Sequence, residues 1–72
     1  MLKTYTKKPT LETLQSDVGG YIELVELDNG DQLIVNEEGL LLSLPFNQNA
    51  SALAGRRIVG NAVLLKGDAL LD

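Results

Sequence analysis

Hydrophobic and polar residues alternate most regularly between residues 21 and 36, with Asn29-Gly30 in the middle. Alternation with a period of two is typical of β-strands, and Asn-Gly favours a two-residue type I′ turn because both turn positions need positive φ. The pattern therefore predicts a β-hairpin whose strands span 21–27 and 32–36.

A two-residue turn would set the register of this hairpin, with Leu24 opposite Val35 and Glu23 opposite Asn36. One face is then entirely apolar, and we assign it to the core. It carries Ile22, Leu24, Leu33 and Val35. The other face has an apolar patch near the turn, where we expect a second subunit to bind, and three polar residues at its far end. The patch is Val25, Leu27 and Ile34, and the polar residues are Tyr21, Glu23 and Asn36.

The sequence before the hairpin predicts one strand and one helix. Residues 2–6 alternate weakly and contain a lysine, as edge strands often do. Thr10 is a favourable N-cap, and apolar residues then recur at helical spacing over residues 11–18. Gly19-Gly20 supplies the glycine that commonly ends a helix.

The sequence after the hairpin begins with a tight turn and a continuous apolar run. The run, residues 40–44, predicts a strand buried on both sides, and Pro45 would stop it. Asn47 or Asn49 can cap a short helix, which we predict over residues 48–53.

The chain closes with one more predicted strand, residues 58–65, interrupted by a bulge at Gly60. Residues 66–68 are predicted to form a turn, and residues 69–72 either fray or dock on a partner subunit. These elements predict an α+β domain: a small, twisted, mostly antiparallel sheet of four to five strands with one or two short helices.

The composition narrows the possible chemistry. The 72 residues include no Cys and no His, which excludes disulfides and thiolate metal sites and removes the commonest general base. No nucleophile–base pair is recognisable, so we expect no enzyme activity, no cofactor and no metal. A domain this small gains little stability from its core, so we expect a homo-oligomer.

The charge distribution bears on partners and location. The net charge is −4, with three lysines and no acid in residues 1–11 and a charge of −7 over residues 12–72. This acidity disfavours binding to nucleic acid. No apolar run is long enough to span a membrane and no export signal is apparent, so we expect no membrane association and a cytoplasmic location.

Four sequence blocks carry a resemblance to a known family. They are Val18-Gly19-Gly20-Tyr21-Ile22-Glu23, Val35-Asn36-Glu37-Glu38-Gly39, Leu44-Pro45-Phe46-Asn47 and Ile58-Val59-Gly60. With these blocks the chain resembles, over about residues 11–66, a small domain-of-unknown-function family from bacteriophages, plasmids and other mobile elements. The resemblance implies no catalytic residues. It implies a phage-type origin, and such proteins often act against host defence.

We expect a single domain over residues 1–72. Within it, residues 1–9 form an edge strand or arm, residues 10–66 form the family-like core, and residues 67–72 form a short tail.

Six residues are candidates for ligand binding. Tyr21 could stack on a base, while Glu23 and Asn36 could accept hydrogen bonds from an amine or a ribose hydroxyl. Arginine binds phosphate bidentately, so Arg56 and Arg57 are the best phosphate contacts in the chain. Asn47 could also contact a base or ribose. The alternatives are a solvated sheet face, a helix cap and surface ion pairs.

Two functions fit these residues. The first is sequestration of a small anionic ligand, possibly a nucleotide immune signal, by a homo-oligomeric counter-defence protein. The second is an acidic protein–protein inhibitor or nucleic-acid mimic that acts on a host defence protein, supported by the charge of −7 over residues 12–72. An accessory domain with no independent role is a third option.

Overall fold

The computed structural model describes residues 1–72 and confirms the predicted α+β class. The elements, in chain order, are β1 (Leu2–Lys7), α1 (Leu11–Val18), β2 (Ile22–Glu26), β3 (Gln32–Asn36), α2 (Gln48–Ala54) and β4 (Ala62–Asp68). The strands form one sheet in the order β1-β4-β3-β2. β1 pairs with β4 in parallel, as the predicted edge strand, and the other two pairs are antiparallel. Neither helix has the length and apolar character needed to cross a membrane.

Both faces of the sheet are covered, because one helix packs on each side. Along the central strand β3, Leu33 and Val35 point to one face and Ile34 to the other, and all three are buried. Three consecutive apolar residues are typical of a strand that is buried on both sides. We call the two sides the α1 face and the α2 face.

The α1 face is closed by α1 and by the C-terminal tail. Thr10 accepts a hydrogen bond from Thr13 N and Gly19 ends the helix at φ 79°, both as predicted. Leu14 and Val18 pack against Ile34 and the inner side of β4. The tail contributes a fully buried Ala69 and two packed leucines, Leu70 and Leu71.

The prediction that the tail frays or docks on a partner is therefore wrong. Gln32 holds it in place, since its Nε2 donates to Leu71 O at 2.9 Å and its Oε1 accepts from Leu71 N at 2.6 Å. The predicted turn at residues 66–68 is part of β4.

The α2 face is covered by a smaller helix. Of the two predicted caps, Asn47 is the one that forms: it accepts a hydrogen bond from Ala50 N, and Gly55 ends α2. Ala50 is the helix's buried residue, and it packs with Leu33, Val35, Ile58 and Ala62.

The predicted two-residue hairpin turn is wrong. Leu27 N donates to Asp31 O and Gly30 N donates to Leu27 O, so three residues, 28–30, form the loop. Gly30 has φ 92°, whereas Asn29 has no positive φ, which is the pattern of a type I turn followed by a bulge. The loop therefore shifts the register by one residue, to Leu24 opposite Ile34 and Glu23 opposite Val35.

This shift also removes the predicted subunit patch. Ile34 is fully buried on the α1 face, and Val25 and Leu27 pack against the core of the α2 face. A one-residue slip moves the side chains of one strand to the other face relative to its partner.

The predicted strand at residues 40–44 does not form. The side-chain oxygen of Asn36 accepts a hydrogen bond from Glu38 N, and its backbone carbonyl accepts one from Gly39 N. These bonds fold the chain into consecutive turns. Leu42 N then donates to Glu38 O in a helix-like bond, and Ser43 takes a left-handed φ of 55°. Leucine favours helical over extended backbone, so the run of leucines does not resist these turns.

Gly60 lies between two elements rather than at a bulge inside one strand. Val59 makes an isolated bridge with Phe46, and β4 begins later, at Ala62. Gly60 has φ 80°, and a Cβ there would lie 2.6 Å from Leu44 Cδ1. Glycine is therefore required at position 60 by the backbone conformation and the close approach of Leu44. The prediction that it marks a bulge within one strand is wrong.

Candidate functional site

A cleft of about 310 Å³ opens on the α2 side of the molecule, between the end of β3 and the segment that follows α2. Its walls come from residues 35–41 and 56–59, with Glu23 of β2 at one edge. We call it the arginine cleft, because it is lined by both arginines of the chain, Arg56 and Arg57.

The arginine segment is short and anchored at both ends. Gly55 takes a left-handed φ of 67°, which turns the chain away from α2. Ser51 Oγ accepts from Ile58 N at 2.7 Å and donates to Ile58 O at 3.1 Å. Only Arg56 and Arg57 lie between these anchors, so their backbone is fixed while their side chains extend into solvent and the cleft.

The two arginines have different partners. Arg56 Nη2 lies 3.3 Å from Glu23 Oε2, and both side chains are about half exposed, at 53% and 44%. An ion pair with this much solvent contact is weak. Arg57 makes no ion pair within the chain, and its guanidinium lies 5.4 Å from the centre of the Phe46 ring. Arg57 is therefore the cation in the cleft that is available to a ligand.

The cleft also contains acidic groups. Glu37 and Glu38 line it, and neither forms an ion pair. With Glu23, they give three carboxylates against two guanidinium groups. Such a lining can bind an anionic group at Arg57 and, at the same time, accept hydrogen bonds from amines or hydroxyls.

The structure brings four of the six predicted site residues to this cleft: Glu23, Asn36, Arg56 and Arg57. The prediction that Glu23 and Asn36 share a sheet face is wrong, because the register places Glu23 beside Val35 and Asn36 beside Ile22. Asn36 reaches the cleft only as part of its buried floor, with 5% of its surface exposed. Its amide donates to Val18 O and accepts from Glu38 N, so it fixes the end of α1 and the following turn.

The other two predicted residues lie outside the cleft lining. Tyr21 is 66% exposed, just before β2. Asn47 is 2% exposed, and its side chain caps α2 and donates to Met1 O and Gly60 O. The polar atoms of Asn47 are thus used inside the fold. Its role as a helix cap, one of the two alternatives from the sequence, is confirmed.

Sequence reasoning missed Leu40 and Leu41 as cleft residues. Both line the cleft and are largely exposed, although the sequence placed them in a buried strand. One signal could have identified them. The run contains only leucine and serine, with none of the β-branched or aromatic residues that strands prefer, and it follows a strong turn sequence.

Comparisons with known proteins identify the family of the chain but indicate no function. No curated protein and no solved structure matches the chain significantly. The family model described as a domain of unknown function, DUF3846, matches residues 2–70, nearly the whole chain. The α+β domain with its arginine cleft therefore belongs to the DUF3846 family.

Proposed function

We propose that this chain is a non-enzymatic binding protein, active as a homo-oligomer, that sequesters a small nucleotide-like ligand in the arginine cleft. Its biological role in this proposal is counter-defence: a phage or mobile element would use it in the host cytoplasm to remove a nucleotide immune signal. The observation that carries the proposal is the convergence of both arginines on one cleft, with Arg57 free of any carboxylate partner.

The size and charge of the cleft narrow the ligand class. A volume of about 310 Å³ is at the small end of ligand pockets. Three carboxylates beside two arginines would repel a polyphosphate. A ligand with a single phosphate fits better, because Arg57 can bind the phosphate while Glu37 and Glu38 accept hydrogen bonds from a base amine or ribose hydroxyls.

Binding without catalysis is consistent with the lining. The polar side chains at the cleft are arginine, glutamate and the internally bonded Asn36. No serine, threonine, lysine or tyrosine side chain lines it, so it offers no hydroxyl or amine nucleophile.

Titration of the purified full chain with AMP, ADP and ATP, followed by calorimetry, tests the proposal. We expect AMP to bind most tightly, ADP less tightly and ATP least. We expect Arg57→Ala to weaken AMP binding by about tenfold or more. Lys8→Ala is the matched control, because Lys8 pairs with Asp72, and neither residue lines the cleft. Absence of binding by all three nucleotides, or an equal loss in both variants, would contradict the proposal.

A second candidate function is binding to a host protein through the acidic surface. The unpaired Glu37 and Glu38 beside the exposed Leu40 and Leu41 favour it, because an apolar patch with a charged rim is typical of protein interfaces. This function predicts a host protein that co-purifies with the chain and is released by salt. Glu37→Gln with Glu38→Gln would then weaken the complex more than Arg57→Ala.

A further inference from the structure

The turn after β3 presents several large apolar side chains to solvent. Leu40, Leu41 and Leu42 are 73%, 81% and 53% exposed, and the nearby Phe46 is 50% exposed. Hydrogen bonds from Leu42 N to Glu38 O and from Leu44 N to Gly39 O hold the turn in one conformation. We call Leu40, Leu41, Leu42 and Phe46 the leucine loop.

Large apolar side chains that are exposed together in one short segment are typical of an interaction surface. The surroundings of the loop indicate what the partner is. On one side the chain carries Glu37 and Glu38 without cationic partners, and near the Phe46 ring it carries Arg57 without an anionic partner. Unpaired charges of both signs therefore lie beside the same apolar centre.

We propose that the leucine loop is the contact of a two-fold symmetric dimer of this chain. A two-fold interface uses the same surface patch on both copies, so the patch must be complementary to itself. Apolar side chains at the axis satisfy this condition. Glu37 and Glu38 of each copy would face Arg57 of the other, so the charges match as well.

The free edges of the sheet do not meet this condition. β1 is one edge, and pairing it with its own copy would bring Lys3 and Lys7 near their equivalents. β2 is the other edge, and the same pairing would bring Glu23 and Glu26 together. Like charges across a strand pair are destabilising, and charged edges oppose such pairing. The leucine loop is therefore the better surface for a second copy.

This dimer names the subunit contact in the proposed homo-oligomer and rests on that part of the proposal. Leu40 and Leu41 belong both to the loop and to the lining of the arginine cleft. A second copy on the loop would therefore lie across the mouth of the cleft and reduce its contact with water. The contact does not require the ligand.

Sedimentation equilibrium of the full chain, without nucleotide, tests the dimer. Leu41→Glu places a charge at the proposed axis and should raise the dimer dissociation constant at least about tenfold, which corresponds to about 1.4 kcal/mol. Leu11→Glu is the matched control, since Leu11 is also exposed but lies at the start of α1, where glutamate is tolerated. Circular dichroism confirms that both variants are folded.

A charge exchange tests the ionic part of the contact. Arg57→Glu alone should give monomers, and Arg57→Glu combined with Glu37→Arg and Glu38→Arg should restore the dimer. A monomeric unmodified protein at millimolar concentration, or a dimer that Leu41→Glu does not weaken, would overturn the inference. Nucleotide affinity measured in parallel separates the two proposals. A monomer that binds AMP refutes the dimer and the homo-oligomer but leaves the ligand, and a dimer that binds no nucleotide refutes the ligand alone.

Discussion

The two faces of the sheet are covered to different degrees. On the α1 face, Leu14 and Val18 insert large side chains, and the C-terminal tail closes what remains. On the α2 face, the helix buries only Ala50, and Leu53 on the same helix stays 44% exposed. The arginine cleft, with Leu40 and Leu41 of the leucine loop in its lining, lies on this second side.

The difference indicates that the α1 face mainly stabilises the fold, whereas the α2 face is the one available for binding. Burial of large aliphatic side chains provides most of the stability of a small domain, and here the α1 face supplies the larger ones. The α2 face has exposed apolar groups and unpaired charges, which contribute little to folding and are accessible to a ligand or partner. Changes on the α1 face should therefore act on folding, and changes on the α2 face on binding.

The largest expected effect is on the α1 face. Leu14→Ala removes a side chain that is 1% exposed, and it should lower the free energy of unfolding by about 2–5 kcal/mol. Leu41→Ala removes an equal number of atoms from an 81% exposed position. It should change the free energy of unfolding by less than about 0.5 kcal/mol. Urea denaturation of both variants at low protein concentration, where the monomer dominates, measures the contrast. If both variants lost the same free energy of unfolding, the two faces would not differ in their contribution to stability.

The next effect concerns the buried asparagine that supports the α2 face. Asn47→Ala removes the cap of α2, leaves Gly60 O without a donor and leaves Met1 O with Ala62 N alone, so it should cost about 2–4 kcal/mol. Asn47→Asp keeps the capping oxygen but loses both donors. It should therefore be destabilised as well, whereas a role in capping alone predicts an Asp variant as stable as the native protein. Thermal unfolding of both variants decides between these outcomes.

The elements that could be predicted from the sequence are those set by local signals. Thr10 and Gly19 delimit α1, and Asn47 and Gly55 delimit α2, because cap residues interact with backbone groups within a few positions. The α+β class follows from the same kind of signal. Membership of a family was also readable, from blocks that fall at turns and caps.

The register and the site could not be predicted so directly. Asn29-Gly30 indicated a turn correctly, but two- and three-residue loops differ by one hydrogen bond, and the choice between them decided the face of Glu23. The exposure of Leu41 depends on a long-range contact, the packing of Gly39 against Val59, where a Cβ would meet Val59 Cγ2 at 2.9 Å. The composition of the leucine run argues against a strand, but no local pattern shows which distant segment Gly39 packs against.

A smaller effect is expected at the ion pair on the rim of the cleft. Glu23 partly neutralises Arg56, and an exposed pair of this kind contributes about 0–1 kcal/mol. Glu23→Gln should therefore free Arg56 and tighten AMP binding by up to about fivefold, with little change in stability. Glu26→Gln on the same strand is the control, because Glu26 does not line the cleft. Weaker binding by the Glu23 variant would instead mean that its carboxylate contacts the ligand.

The smallest effect returns to the α1 face, where a polar cluster ties α1 to β1. The Tyr5 hydroxyl donates to Asp17 Oδ2 at 2.6 Å, and Lys3 Nζ lies 3.7 Å from Asp17 Oδ1. The Tyr5 side chain and then the negative charge of Asp17 raise the pKa of Lys3 above its ordinary value of 10.5. Because the folded state holds this proton more tightly, the contribution of Lys3 to stability is complete below pH 10.5 and is lost as the pH rises through the folded pKa.

Melting temperatures of the native protein, Lys3→Met and Lys7→Met, measured from pH 9 upward, test this link. Lys7 is also on β1 but forms no ion pair, so its variant should follow the native curve. Lys3→Met should melt slightly lower than both at pH 9, and the difference should shrink at higher pH as Lys3 loses its charge. The shift must be small, because Lys3 is solvent-exposed and water screens its interaction with Asp17. Parallel curves for all three proteins would show that the charge of Lys3 contributes nothing to stability.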